Sequence, residues 1–166
     1  FTLVAAANPC PCGSYGEGDR CRCTPSQRSA YLAKLSGPIM DRIDIQVWMH
    51  PVPSEAVIRR AKAEGSREVA RRVSAARRRQ AERFEGEGIC TNAEMSNRQT
   101  ERHCPLDEEC RHTLESIMEN TGMSLRAWFR IIKVARTIAD VDGEERLRPG
   151  HILDAAGDRL LDRGKI

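Results

Sequence analysis

The sequence predicts a mainly α-helical chain: a short α/β portion of two strands and a helix, then a bundle of three helices. Three observations carry that prediction. Apolar residues recur at three- and four-residue spacing through the C-terminal part. Two short apolar segments near the N-terminus have the length and flanks of strands. Between these regions lies a basic stretch whose thin apolar stripe leaves most of its surface wet.

Each element can be justified in order. Phe1 to Ala7 is apolar and stops at Asn8-Pro9, as a buried strand ending sharply would. Pro9 to Thr24 is too rich in glycine and proline for a regular element. A helix starts at Pro25, placing Tyr31, Leu32 and Leu35 near one face, and Gly37-Pro38 stops it. Ile43, Ile45 and Val47 then alternate with Asp44 and Gln46, the period of a second strand, which Pro51 and Pro53 end. Ser54 caps a short helix to Glu64. Gly65 breaks it, and Ser66 caps a longer one to about Phe84, with Val69, Val73, Ala76 and Phe84 as its apolar stripe. A loop follows, with a short helix from Ser96. Three amphipathic helices then bury Leu106, Cys110, Leu114, Ile117 and Met118; Leu125, Trp128, Ile132, Ala135, Ile138 and Ala139 after a Ser124 cap; and Ile152, Leu153, Ala156 and Leu160 after Pro149. The organisation read from this is residues 1–52, a basic linker over 53–90, and a helical domain over 91–166.

Composition narrows the function. Apolar residues at 40% and charged residues at 31% fit a globular chain. No apolar run approaches the ~20 residues needed to cross a bilayer, so no membrane partner is expected. Seven cysteines, four of them clustered and none preceded by a signal sequence, point to a reducing, cytoplasmic compartment. Net charge is only +3, but Arg59 to Arg83 holds ten basic residues against three acidic ones. That +7 segment hints at a polyanion such as DNA, though a solvated helix face explains it equally; no aromatic residues interleave for base stacking.

Four positions carry candidate chemistry. Asn8, at the end of the first predicted strand, either reaches a phosphate or orients water, or merely turns the chain before Pro9. Arg42 either neutralises phosphate charge from a subunit edge or pairs with Asp41 or Asp44. Arg126 sits one turn into the Ser124-capped helix, where a cation opposes the helix dipole; either an anion compensates it or its stem snorkels to solvent. Cys10, Cys12, Cys21 and Cys23 form two C-x-C pairs, a thiolate set suited to a closed structural zinc site, with plain reduced thiols as the alternative. Cys90, Cys104 and Cys110 suggest no second site, since Cys110 shares the buried stripe of Leu106 and Leu114.

The wording and order of several segments go further. "FTLVAAANPCPCG", "CRCTPSQ", "SGPIMDRIDIQV", "ICTNAEMS" and "MSLRAWFRIIKVARTIADVDG" resemble the magnesium-chelatase-like AAA+ ATPases, in particular the YifB/ComM competence-protein group. The resemblance implies the C-terminal part of an AAA+ α/β nucleotide-binding core followed by a helical lid. It implies Asn8 as sensor 1, Arg42 as the arginine finger, and Arg126 as sensor 2 with Arg130 one turn later, acting on ATP and Mg²⁺ between protomers of a hexameric ring. It also implies DNA translocation or branch migration in recombination and natural transformation. A chelatase-type motor acting on a protein or porphyrin system, and a non-enzymatic zinc-binding nucleic-acid module, are the alternatives. The chain contains neither a G-x-x-x-x-G-K-[ST] phosphate loop nor an acidic Walker B strand end, so these 166 residues alone are expected not to hydrolyse ATP.

Overall fold

A computed structural model describes residues 2–16, 18–34, 42–49, 52 and 64–159. The chain forms two compact units: Phe1–Ile43 with Met49–Pro53, and Asp44–Trp48 with Ser54–Ile166.

The first unit holds the cysteine loop, a 3₁₀ turn at Gly18–Arg20 and helix α1, Pro25–Leu32. The local sequence explains where α1 starts. The Thr24 hydroxyl accepts from the Gln27 amide at 3.2 Å, and the Gln27 side chain accepts from the Thr24 amide at 2.9 Å. This reciprocal cap precedes a proline at the first helical position, whose missing N–H would have had no partner anyway.

The second unit contains α2 (Ser66–Arg83), α3 (Asn97–His103), α4 (Glu108–Thr121), α5 (Leu125–Asp142) and α6 (Pro149–Gly157). Helix α5 packs against α2, α3 and α6, and α6 also packs against α4. Asp107 caps α4 by accepting from the Cys110 amide at 2.8 Å, and Ser124 caps α5. Gly122 and Gly143 end the same two helices with φ of +56° and +82°, the left-handed conformation glycine adopts without a Cβ penalty. Phe84, Met95, Cys104, Cys110, Leu114, Ile131, Ile132, Ala135, Ala139, Leu147 and Ile152 form one core.

The mainly helical class holds, but the predicted α/β core does not. Among the described residues there are six α-helices and no strand. Residues 2–7 are irregular, with Val4 90% exposed. In the second predicted strand the alternation is lost: Ile45 and Val47 are 53% and 60% exposed, while Gln46 is buried. The Gln46 amide donates to the Asp158 carbonyl at 2.6 Å rather than to a neighbouring strand. The physical reason is that a strand exists only through a ladder partner, and two short isolated segments bury too little to form one.

Two helix positions also differ from prediction. Leu125 is 73% and Leu153 is 55% exposed: Leu125 lines up with Ile132 and Ala139 but is the first residue of its helix, whereas Leu153 lies off the stripe of His151, Ile152, Ala155 and Ala156. Helix α2 begins at Ser66 as predicted, but Gly65 is its cap, with the Glu68 carboxylate accepting from the Gly65 amide at 3.2 Å. Leu35, Gly37-Pro38, Met40, Asp41, Leu160 and most of the helix predicted from Ser54 to Glu64 lie outside the described residues.

Candidate functional site

The four clustered cysteines converge. Gly13 turns the chain back after Cys12 with φ of +82°, its amide donating to the Cys10 carbonyl at 3.0 Å. Cys10 is fully buried, Cys21 and Cys23 are half-buried and Cys12 is exposed. The four Sγ atoms lie within 4.8 Å of one another. Cys10–Cys12, Cys12–Cys21 and Cys10–Cys21 are separated by 3.4, 3.7 and 3.8 Å. Zn–S bonds near 2.3 Å in a tetrahedron require S···S edges of about 3.8 Å, so the donor set and its spacing fit Zn²⁺. They do not fit a disulfide, whose sulfurs approach to about 2.05 Å.

The loop also prepares its thiols. Amide hydrogen bonds from Ser14 and Arg22, with help from the Cys10 and Cys23 thiols, lower the Cys12 pKa to about 6. Burial, the largest cause, raises Cys23 to about 11. Cys12 therefore offers a thiolate at neutral pH, and Cys23 must release a proton on ligation. Helix α1 braces the loop: the Arg28 guanidinium donates to the Cys23 carbonyl at 3.2 Å and lies 4.5 Å from the Tyr15 ring centre.

In the second unit, the start of α5 presents a cationic groove of about 230 Å³ lined by Asn97, Leu125, Arg126, Phe129, Arg130 and Lys133. Spacings of four and three residues put Arg126, Arg130 and Lys133 on one helix face. The three cations are not equivalent. Arg130 donates to the Asp44 carboxylate at 3.0 Å. Lys133 donates to the Ala93 carbonyl at 3.3 Å and to the Met95 carbonyl, and burial lowers its pKa. Arg126 is exposed and has no hydrogen bond or ion pair among the described residues. Asn8 and Arg42, both exposed, belong to the first unit. An ideal Cβ on Gly13 would lie 3.8 Å from the Asn8 amide nitrogen, so Asn8 packs against the cysteine loop.

Comparison with known proteins names the family. The model described as "Magnesium chelatase, subunit ChlI C-terminal" matches residues 63–159, and "Magnesium chelatase, subunit ChlI" matches residues 1–57. The chain belongs to the magnesium chelatase ChlI C-terminal family. It is 39% identical over 98% of its length to uncharacterized protein YifB of Escherichia coli, and 38% identical over 98% to YifB of Salmonella typhimurium. It is 37% identical over 98% to competence protein ComM of Haemophilus influenzae. It spans 31% of the length of each of these relatives.

Within this magnesium chelatase domain, one constellation had no role in the sequence reading. Arg83 grips Asp140 with two parallel bonds, Nη2–Oδ1 at 2.5 Å and Nη1–Oδ2 at 2.8 Å. Asn92 Nδ2 donates to the same carboxylate at 2.8 Å, and Arg136 lies 3.1 Å from it. Arg79 donates to the Asp140 backbone carbonyl at 2.8 Å, and Arg136 donates to the carbonyls of Glu144 and Glu145. Burial alone would raise the Asp140 pKa; the bonds from Arg83 and Asn92 and the charges of Arg83 and Arg136 outweigh it and lower the value. Asn92 is held in turn by its neighbours, because the Glu94 carboxylate accepts from the Cys90 and Thr91 amides at 2.9 Å each. One sequence signal was available: Arg136 and Asp140 are four residues apart on the face that carries Ile132 and Ala139, where unpaired charges are not tolerated.

Proposed function

We propose that the chain is the C-terminal part of an AAA+ ring ATPase that hydrolyses ATP between neighbouring protomers and uses it to move along DNA. The observation that carries this reading is the pair of family matches, which together span 1–57 and 63–159. The naming of one relative as a competence protein supports DNA as the track.

In this reading Asn8 serves as sensor 1, Arg42 as the arginine finger toward a neighbouring protomer, and Arg126 as sensor 2. Residues 91–166 form the lid, 53–90 the basic linker, and 1–52 carry the cysteine-rich insertion. Arg126 is supported by electrostatics. A cation in the first turn of a helix is unfavourable until an anion neutralises it, and Arg126 is not engaged elsewhere among the described residues. Arg130 would have to exchange Asp44 for phosphate, which makes it the secondary contact. Bound ATP–Mg²⁺ supplies the terminal phosphoryl group, and the arginines neutralise charge that develops as it transfers. No G-x-x-x-x-G-K-[ST] occurs in these residues, so most of the nucleotide cradle must come from elsewhere in the whole protein.

We assign Cys10, Cys12, Cys21 and Cys23 to a structural zinc site; four protein ligands leave no open position for catalysis. None of the seven cysteines forms a disulfide, which suits a reducing cytoplasm. No helix of the described residues is long and apolar enough to cross a membrane.

The test is the ATPase rate of an intact protein carrying this domain, without DNA and with duplex, forked and four-way DNA. DNA should stimulate turnover, and Arg42→Ala should cut it by ~10³ or more while ATP binding stays nearly intact. A rate indifferent to every DNA would direct attention to a chelatase-type motor.

A further inference from the structure

The basic stretch is not one uniform charged face, because the structure divides its arginines. Arg79 and Arg83 turn inward and are consumed by Asp140 and Asn92. Arg72 pairs with Glu64 at 2.5 Å, and Arg77 donates to Gln80 at 3.3 Å. Arg59, Arg60 and Lys62 lie outside the described residues. Three remain: Arg67, Arg71 and Arg78 are exposed and have no hydrogen bond or ion pair among the described residues.

These three share one line on α2. At about 100° per residue they fall within about 40° of one another, diametrically opposite Ala76 and Gln80, the buried positions through which α2 meets the core. At 1.5 Å per residue the line is about 16 Å long, with gaps of about 6 and 10 Å. Ala70, Ser74 and Ala81 flank it with short side chains, so a flat or convex partner can approach closely. Glu82 and Glu85 close its C-terminal end.

We propose that Arg67, Arg71 and Arg78 form a rail that contacts the phosphate backbone of a nucleic-acid duplex. This rests on the DNA-motor reading for its biological sense, though not for its geometry. Guanidinium groups bond phosphate oxygens bidentately, and a duplex offers one charge per about 1.7 Å of axis, so each arginine has several phosphates in reach. The chemistry disfavours a lipid surface. A helix lying on a membrane pairs its cations with Trp, Phe or Leu at the edge of the apolar face, whereas this line is flanked by alanine and serine. No base-reading side chain interrupts it, so binding should be indifferent to sequence.

The experiment compares the whole chain with a triple variant, Arg67→Gln, Arg71→Gln and Arg78→Gln, and with the single variant Arg72→Gln as a control at a site already paired with Glu64. Glutamine keeps helix propensity, and circular dichroism checks that the fold persists. Anisotropy of a labelled random-sequence duplex is titrated across salt concentrations. The triple variant should bind at least about tenfold more weakly at moderate salt, with a log–log salt slope shallower by about 2.7, while Arg72→Gln changes little. An unchanged slope and affinity in the triple variant overturns the rail. So does rail-dependent binding to phosphatidylserine vesicles without duplex binding, which would assign the stripe to a membrane. The two readings fail separately. Rail-dependent duplex binding with DNA-indifferent ATPase removes the motor and keeps the rail. DNA-stimulated ATPase with unchanged binding by the triple variant removes the rail and keeps the motor.

Discussion

Asp140 shows how much one buried carboxylate organises. Its side chain is fully enclosed and simultaneously engages Arg83, Arg136 and Asn92. Replacing it with asparagine leaves two guanidinium groups facing a neutral amide, and losing one partner of a buried ion cluster costs on the order of 3–5 kcal/mol. Denaturant unfolding of Asp140→Asn against wild type measures this, and a loss below ~1 kcal/mol would show the network to be marginal. The direction of the pKa shift sets a pH dependence as well. A carboxyl lowered on folding contributes stability that is fully present above its unfolded pKa, near 3.9, and is lost as pH falls through the lower folded value. Wild type should therefore weaken in acid through this group, and Asp140→Asn should flatten that part of the curve. Cysteine behaviour belongs to the same scale. Elemental analysis should find one zinc per chain, and Cys10→Ser, which removes the fully buried ligand, should release it. An unchanged metal content would dissolve the assigned site.

At the level of elements, the helix starts at Pro25, Ser96 and Ser124 were legible in the sequence, although Thr24 and Asp107 were not named as caps and Ser66 was named in place of Gly65. Thr24, Ser96, Asp107 and Ser124 all accept amides of the helices they precede, because a short oxygen-bearing side chain before an apolar period has a local task. Gly143 is the sharpest C-terminal case. Its φ is +82°, and an added Cβ would lie 3.2 Å from Arg79 Nη2, the guanidinium that reaches the Asp140 carbonyl. Gly143→Ala should cost about 1 kcal/mol or more in thermal or denaturant unfolding, through backbone strain together with a displaced Arg79. The strands were misread for the opposite reason. Alternation of Ile43, Ile45 and Val47 is a local pattern, but which face is buried depends on partners that no local pattern supplies. The fate of Arg79 and Arg83 was hidden similarly, since their acceptors lie some sixty residues along the chain. The convergence of the four thiols, in contrast, could be expected from the glycines between the two C-x-C pairs.

For the molecule as a whole, the family words along the sequence carried the assignment, and the family matches bear it out. The roles of Asn8, Arg42 and Arg126 remain the proposed part, and Arg126 ties the domain to the motor most directly. The decisive measurement is DNA-stimulated ATP hydrolysis by an intact family protein carrying Arg126→Ala, with nucleotide affinity measured alongside. If the start of α5 addresses the terminal phosphate, stimulated turnover falls by on the order of 10² or more while the helical fold persists. Turnover and nucleotide affinity both within a few-fold of wild type would contradict the account.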